Sequence, residues 1–194
     1  MKLIIASNNA HKLTEMKAIL APFFEDIQSM REAGIEHETV EDGSTFMENA
    51  LKKARELAEL SGCCAIADDS GLCVDALGGA PGIFSARYSG THGDDQANNR
   101  KLLKELEGKK DRGAHYTCAI ALVWPDGKTV TAEDYLCGEI ARDARGTNGF
   151  GYDPLFIIPE LGKRTAEISA EEKNRISHRG KALRQLVQKL EAMA

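Results

Sequence analysis

Two short apolar runs, residues 2–6 and 63–67, set the frame of this chain. Each is long enough for a buried strand and too short for a buried helix, and each adjoins a segment with apolar residues at helical spacing. After the first run come Ser7-Asn8-Asn9 and then Leu13, Met16, Ile19 and Leu20, closed by Pro22. Before the second comes Thr45-Phe46-Met47-Glu48, which reads as a capping box with Thr45 as N-cap and Glu48 reaching back. Its apolar stripe is Met47, Ala50, Leu51, Ala54, Leu57 and Ala58, and Gly62 closes it. Residues 95–106 predict a helix stopped by Gly108, and a second capping box at Ser169-Ala170-Glu171-Glu172 precedes a C-terminal helix built on Ala182, Leu183, Leu186, Val187 and Leu190. Residues 114–124 and 128–138 flank the turn Pro125-Asp126-Gly127 and predict an antiparallel hairpin. A glycine-rich loop over 146–154 leads into a strand at 155–158. Alternating strands and helices with one hairpin predict an α/β fold whose sheet is mixed and flanked by helices.

Of 194 residues, 42% are hydrophobic and 28% charged, as in a globular chain. No repeat, linker or low-complexity segment interrupts residues 1–194, so a single domain is expected. The net charge of −5 and the lack of a long basic run argue against wrapping of nucleic acid, while a small anionic ligand stays compatible. Five cysteines without C-x-x-C spacing indicate neither a disulfide framework nor a zinc site. The apolar N-terminus is too short for a signal or membrane segment, so a cytoplasmic location is expected.

The second apolar run ends in Ala67-Asp68-Asp69-Ser70-Gly71. Two carboxylates at the end of a buried strand are hard to reconcile with packing alone, because an unpaired buried carboxylate is costly. A metal ion, a cationic ligand or proton transfer would account for them, and as neighbours they would titrate as a coupled pair. Glu41-Asp42-Gly43 stands before the capped helix, where acids favour the helix dipole; alternatively Glu41 joins Asp69 as an oxygen ligand of the kind magnesium takes. Asn49 and Lys53 share a helix face, so Lys53 is either a solvated lysine or one aimed at a phosphate. In Ser7-Asn8-Asn9-Ala10-His11-Lys12 a strand runs into a helix N-terminus, which suits phosphate, although Asn8 or Asn9 as a plain N-cap and a solvated Lys12 explain the same residues. Phe150-Gly151-Tyr152-Asp153 offers aromatic faces for a base, or a turn with core aromatics. Lys173, Ser177, His178 and Arg179 add donors that suit phosphate or purine oxygens.

Taken in order, these segments, with Leu77-Gly78-Gly79-Ala80-Pro81-Gly82 and Ser85-Ala86-Arg87-Tyr88, resemble the inosine/xanthosine triphosphate pyrophosphatases over nearly the whole length. The resemblance implies an elongated mixed sheet in two lobes with a nucleotide cleft between them, and a homodimer. It implies magnesium-dependent hydrolysis of ITP, dITP and XTP to the monophosphate and pyrophosphate, which removes deaminated purines from the nucleotide pool. Carried over by motif, Asp69 is the proton acceptor and a metal ligand, Glu41 the second ligand, and Asp68 and Lys53 line the catalytic site. Ser7, Asn8, Asn9, Ala10, His11, Lys12, Ser70, Phe150, Gly151, Tyr152, Asp153, Lys173, His178 and Arg179 contact substrate. His11 and Asn148 stand where glycine is frequent in that family. A pyrophosphatase for other modified nucleotides and a nucleotide-binding regulator without catalysis are the competing readings.

Overall fold

The computed structural model describes residues 1–193. In chain order the elements are β1 (Lys2–Ile5), α1 (Ala10–Leu20), β2 (Asp26–Ser29), α2 (Phe46–Ser61), β3 (Cys64–Val74), α3 (Asp95–Glu105), β4 (Gly113–Val123), β5 (Thr129–Ile140), β6 (Phe156–Ile158), β7 (Lys163–Arg164), α4 (Ala170–Ile176) and α5 (His178–Glu191). The strands form one mixed sheet in the order β2-β1-β3-β4-β5-β6-β7. β1 pairs in parallel with β2 and with β3, in register Leu3 to Cys64 and Ile5 to Ile66. β6 pairs antiparallel with both β5 and β7. The link from β4 to β5 is a tight turn in which Trp124 donates its N–H to the Lys128 carbonyl, too short for a parallel crossover.

The chain divides into two compact units. The first comprises Met1–Asp69, Cys118–Asp134 and the chain from Arg179 onward; the second comprises Ser70–Thr117 and Tyr135–His178. In the first, side chains alternate between two faces of the strands, as the pleat requires. Leu3, Ile5, Ile66, Ile120 and Leu122 pack with Met16 and Leu20 of α1 and Ala182, Leu183 and Leu186 of α5. Ile4, Ala65, Ala67, Ala119 and Ala121 face the other way and pack with Ala50, Ala54, Leu57 and Ala58 of α2. Alanine on both sides of that second layer allows α2 to approach the strands closely. The second unit has its own core, in which Leu72, Leu102, Tyr116, Leu136, Tyr152 and Phe156 are buried together.

The expected helices and the hairpin are present, with several differences. β3 does not stop at residue 67 but runs to Val74, so Asp68 and Asp69 lie within an 11-residue strand. Burial of the pair is tolerated because both carboxylates have polar partners. Thr45 caps α2 by accepting from Glu48 N at 3.1 Å, but the Glu48 carboxylate accepts from the N–H and hydroxyl of Ser44 rather than from the cap residue itself. β2 and β7 were not legible, being four and two residues long and largely polar. The five cysteines are free thiols. Among the described residues no helix is long and apolar enough to cross a membrane.

Candidate functional site

The strand alternation decides what each of the two consecutive acids meets. Asp68 continues the row of Cys64 and Ile66, which faces α1 and α5; Asp69 continues the row of Ala65 and Ala67, which faces α2. The pair therefore splits across the sheet and acquires two different environments.

On the first face Asp68, 2% exposed, draws three donors onto one oxygen. Lys12 Nζ lies 3.0 Å from its Oδ2, and Arg179 reaches the same oxygen with Nε and Nη2, each at 3.2 Å. The remaining arm of Arg179 binds Glu15, one turn along α1 from Lys12. Burial works against the charge of this guanidinium, but Asp68 and Glu15 outweigh it and hold its pKa above the ordinary value. With two cations on one oxygen, Asp68 is a firm anchor for Lys12. The N-terminus of α1 is capped by Asn9, whose side-chain oxygen accepts from His11 N at 3.0 Å and Lys12 N at 3.2 Å. Asn9 in turn donates its own N–H to the Ser7 hydroxyl at 3.1 Å. Asn8, Asn9, Ala10 and His11 are solvent-exposed. The plain capping role is thus real for Asn9, and Lys12 is ion-paired rather than solvated.

On the opposite face Asp69, 6% exposed, accepts from Asn49 Nδ2 at 2.9 Å. Its other oxygen lies 3.7 Å from Lys53 Nζ, which also bonds Glu41 at 3.1 Å. Burial pushes the Asp69 carboxyl above the usual carboxylate range, while Lys53 and the Asn49 hydrogen bond pull it back. Lys53 itself is held above its ordinary value: burial lowers it, and the carboxylates of Asp69, Asp68 and Glu41 more than compensate. A buried carboxyl of raised proton affinity beside a fixed ammonium is chemically suited to accept a proton. Asp42 turns away and pairs with Lys52 at 2.6 Å on the surface, so Glu41 is the acid that shares a location with Asp69. Among the described residues no cluster of three or more His, Cys, Asp or Glu side chains is built to hold a metal alone. Two oxygen donors converging on a site occupied by positive charge fit a hard cation such as magnesium, which keeps waters and substrate oxygens as its other ligands.

In the second unit a different group forms around Asp153. Its carboxylate accepts from Phe150 N at 3.0 Å, Lys173 Nζ at 2.5 Å, Thr165 Oγ1 at 3.0 Å and Tyr116 Oη at 3.3 Å. Asp153 thereby organises the loop. Gly149 sits at φ 75°, and a Cβ there would lie 2.0 Å from an Asp153 oxygen, so only glycine leaves room for the carboxylate. Asn148 ties the loop down by donating to the Ile168 carbonyl at 2.9 Å. Tyr152 is buried and donates to the Ser85 carbonyl at 2.7 Å. The Phe150 ring is half-buried, with Lys173 Nζ at 4.5 Å from its centroid. His178 stacks on Tyr116 with ring centroids 4.8 Å apart and planes 13° apart. Burial, with Asp153 beside it, pushes the Tyr116 hydroxyl well above its ordinary pKa.

The structure thus gathers Lys12, Glu41, Lys53, Asp68, Asp69 and Arg179 in the first unit, and Phe150, Asp153, Lys173 and His178 in the second. Gly151 and Tyr152 serve the loop, and Ser70 follows Asp69 directly in β3. Sequence reasoning missed Glu15 and Tyr116, and read Asn49 only as a neighbour of Lys53. Asn49 is fully buried, and its place directly before the stripe residue Ala50 was the available signal.

Comparison with known proteins agrees across the whole chain. A model of the Ham1 family matches residues 3–189. A Nitrosomonas europaea protein named dITP/XTP pyrophosphatase is 52% identical over 191 residues, 97% of this chain and 94% of that protein. A Staphylococcus aureus Ham1 protein structure superimposes with a TM-score of 0.91 at 42% identity, covering 100% of both chains. A crystal structure from Mycobacterium abscessus, titled nucleoside-triphosphatase / dITP/XTP pyrophosphatase, gives 0.79 at 45% identity over 96% of this chain and 98% of that one.

Proposed function

The chain belongs to the Ham1 family, and from that membership together with the geometry we propose that it hydrolyses deaminated purine nucleoside triphosphates, ITP, dITP and XTP, to the monophosphate and pyrophosphate, and so clears them from the nucleotide pool. The observation that carries the reading is the split of Asp68 and Asp69. One acid is neutralised by Lys12 and Arg179; the other is buried beside Lys53 and Glu41 with its proton affinity raised. That is a division between an anchor for a phosphate-binding cation and a general base.

In this reading the N-terminus of α1 and Lys12, with Ser7, Asn8, Asn9, Ala10 and His11 around them, receive the phosphate chain. Asp69 takes a proton from the water that attacks the α-phosphorus. The bond from that phosphorus to the bridging oxygen breaks, and pyrophosphate leaves with its charge met by Lys12 and Lys53. Glu41 and Asp69 would hold a magnesium ion, which would neutralise triphosphate charge and lower the pKa of water there. Ser70 assists at the phosphates. Phe150 offers a face to the base, Gly151, Tyr152 and Asp153 hold its loop, and Lys173, His178 and Arg179 supply or support donors. A 6-oxo group accepts such donors and the 6-amino group of adenine does not. Pairing of two copies and a cytoplasmic location belong to the same proposal; sedimentation at twice the chain mass checks the first.

The test is product analysis across a panel of nucleotides. Pyrophosphate from ITP and XTP, slow turnover of ATP and GTP, and loss of turnover on removing magnesium are expected. Orthophosphate as the first product, or tight ITP binding without turnover, would overturn the proposal.

A further inference from the structure

The aromatic loop is held from a side that no substrate-binding motif includes. Asp95 and Asn99 stand one turn apart on α3, and both reach the same residue. Asp95 Oδ2 accepts from Gly151 N at 2.7 Å, and Asn99 Nδ2 donates to Gly151 O at 3.0 Å. Asn99 Oδ1 is buried and has no hydrogen-bond partner among the described residues. Turning that amide over would set two oxygens against each other, so the Gly151 carbonyl fixes its orientation, and a buried acceptor is left bare as the consequence. Helix α3 carries further ties: Asn98 accepts from Ser89 N at 2.8 Å and donates to Ala86 O at 3.3 Å. That segment follows directly on Ser85, whose carbonyl receives Tyr152.

The effect falls on Phe150. Its own N–H is held by Asp153, and the next N–H is held by Asp95. Both peptide planes flanking Phe150 are therefore fixed by carboxylates, each a charge-assisted bond. The ring keeps only its side-chain rotations, under the Lys173 ammonium.

We propose that Asp95 and Asn99 are positioning residues that grip Gly151 by its N–H and by its carbonyl and thereby set the Phe150 ring for the base. The proposal rests on the reading of Phe150 as the base platform. A loop of glycines and aromatics has many conformations to lose, and pre-ordering it removes that loss from substrate binding.

The experiment pairs amide exchange with kinetics on the full chain. Asp95→Ala is expected to lose protection at the Gly151 amide and to raise KM for ITP about tenfold while kcat stays within about twofold. Asp95→Asn keeps an acceptor oxygen and is expected to restore most of the KM; Asn99→Asp, which removes the donor, is expected to raise it. In a Phe150→Ala background Asp95→Ala is expected to add less than about twofold, since two residues acting through one ring are not additive. Unchanged exchange at Gly151, or a full tenfold effect persisting without the Phe150 ring, would overturn the proposal. Failure of the unaltered chain to turn over ITP would instead defeat the proposed function, and the exchange result would still decide whether the grip exists.

Discussion

Replacing Asn49 by alanine isolates what the second face of the strand does for Asp69. Asn49 is fully buried and uses both ends of its amide: Nδ2 donates to Asp69 at 2.9 Å, and Oδ1 accepts from Gly43 N at 2.8 Å. The first bond is to a carboxylate and is worth about 1.5–3 kcal/mol; the second is neutral and worth about 0.5–1.5 kcal/mol. Asn49→Ala should therefore cost about 2–4.5 kcal/mol, read as a shift in urea midpoint at constant m. The change also acts on protonation. Burial is the main influence raising the Asp69 carboxyl, and the Asn49 bond is one of those opposing it. Without that bond the folded-state pKa climbs further. A carboxyl raised in the folded state contributes stability below the ordinary value of 3.8 and loses it as pH rises through the folded value. The variant should thus show a steeper loss of stability on raising the pH, and the acid limb of kcat/KM should move to higher pH. Asn49→Asp keeps the acceptor for Gly43 and removes the donor, so it should shift the acid limb further. Destabilisation under about 0.5 kcal/mol with an unmoved acid limb would refute the reasoning.

Gly149→Ala should displace the Asp153 carboxylate, since the added carbon would lie 2.0 Å from it at a positive φ of 75°; a raised KM for ITP and a lowered melting temperature check this, and wild-type values contradict it. Arg179→Met leaves Asp68 and Glu15 without their buried cation, which should cost about 3–5 kcal/mol in denaturant titration; a loss under about 1 kcal/mol would show that Lys12 suffices. The Glu32 carboxyl should titrate at about 2 rather than 4.5, because Lys17 and the Ser29 N–H bond its charged form. Its contribution is present above the ordinary value and lost as pH falls from there through the folded value, so the Glu32 titration followed by carboxyl NMR should move up in Lys17→Ala but stop short of 4.5, because the Ser29 bonds remain.

What was legible in the sequence was local. The capping residue Thr45, the closing Gly62 and the stripe between them specify α2 within one segment. The Pro125-Asp126-Gly127 turn and its flanking runs likewise specify the hairpin. The extent of β3 was not legible, because adjacent carboxylates contradict a buried strand unless their partners are known. Those partners lie far along the chain: Lys12 and Arg179 for Asp68, Asn49 and Lys53 for Asp69. Motif order singled out Asp69 as the proton acceptor, but left open what Asp68 does. Strand alternation supplies that, and it places the two carboxylates on opposite faces, not as one side-by-side pair. Asp153 was read as a substrate contact, yet its four donors make it the hub of the loop. Asp95 and Asn99 lie outside every motif, since their chemistry is with a backbone and any helix may carry such residues unnoticed.

The central claim is that Asp69, not Asp68, takes the proton from a water that attacks the α-phosphorus. Hydrolysis of ITP in water enriched in heavy oxygen, followed by mass analysis of both products, tests it most directly when run on the unaltered chain beside Asp69→Asn and Asp68→Asn. The account predicts label in the monophosphate and none in the pyrophosphate. It also predicts loss of at least about a hundredfold in kcat for Asp69→Asn, the scale of general-base catalysis, and a smaller loss with a raised KM for Asp68→Asn. Label in the pyrophosphate, or the larger kcat loss in Asp68→Asn, would contradict it.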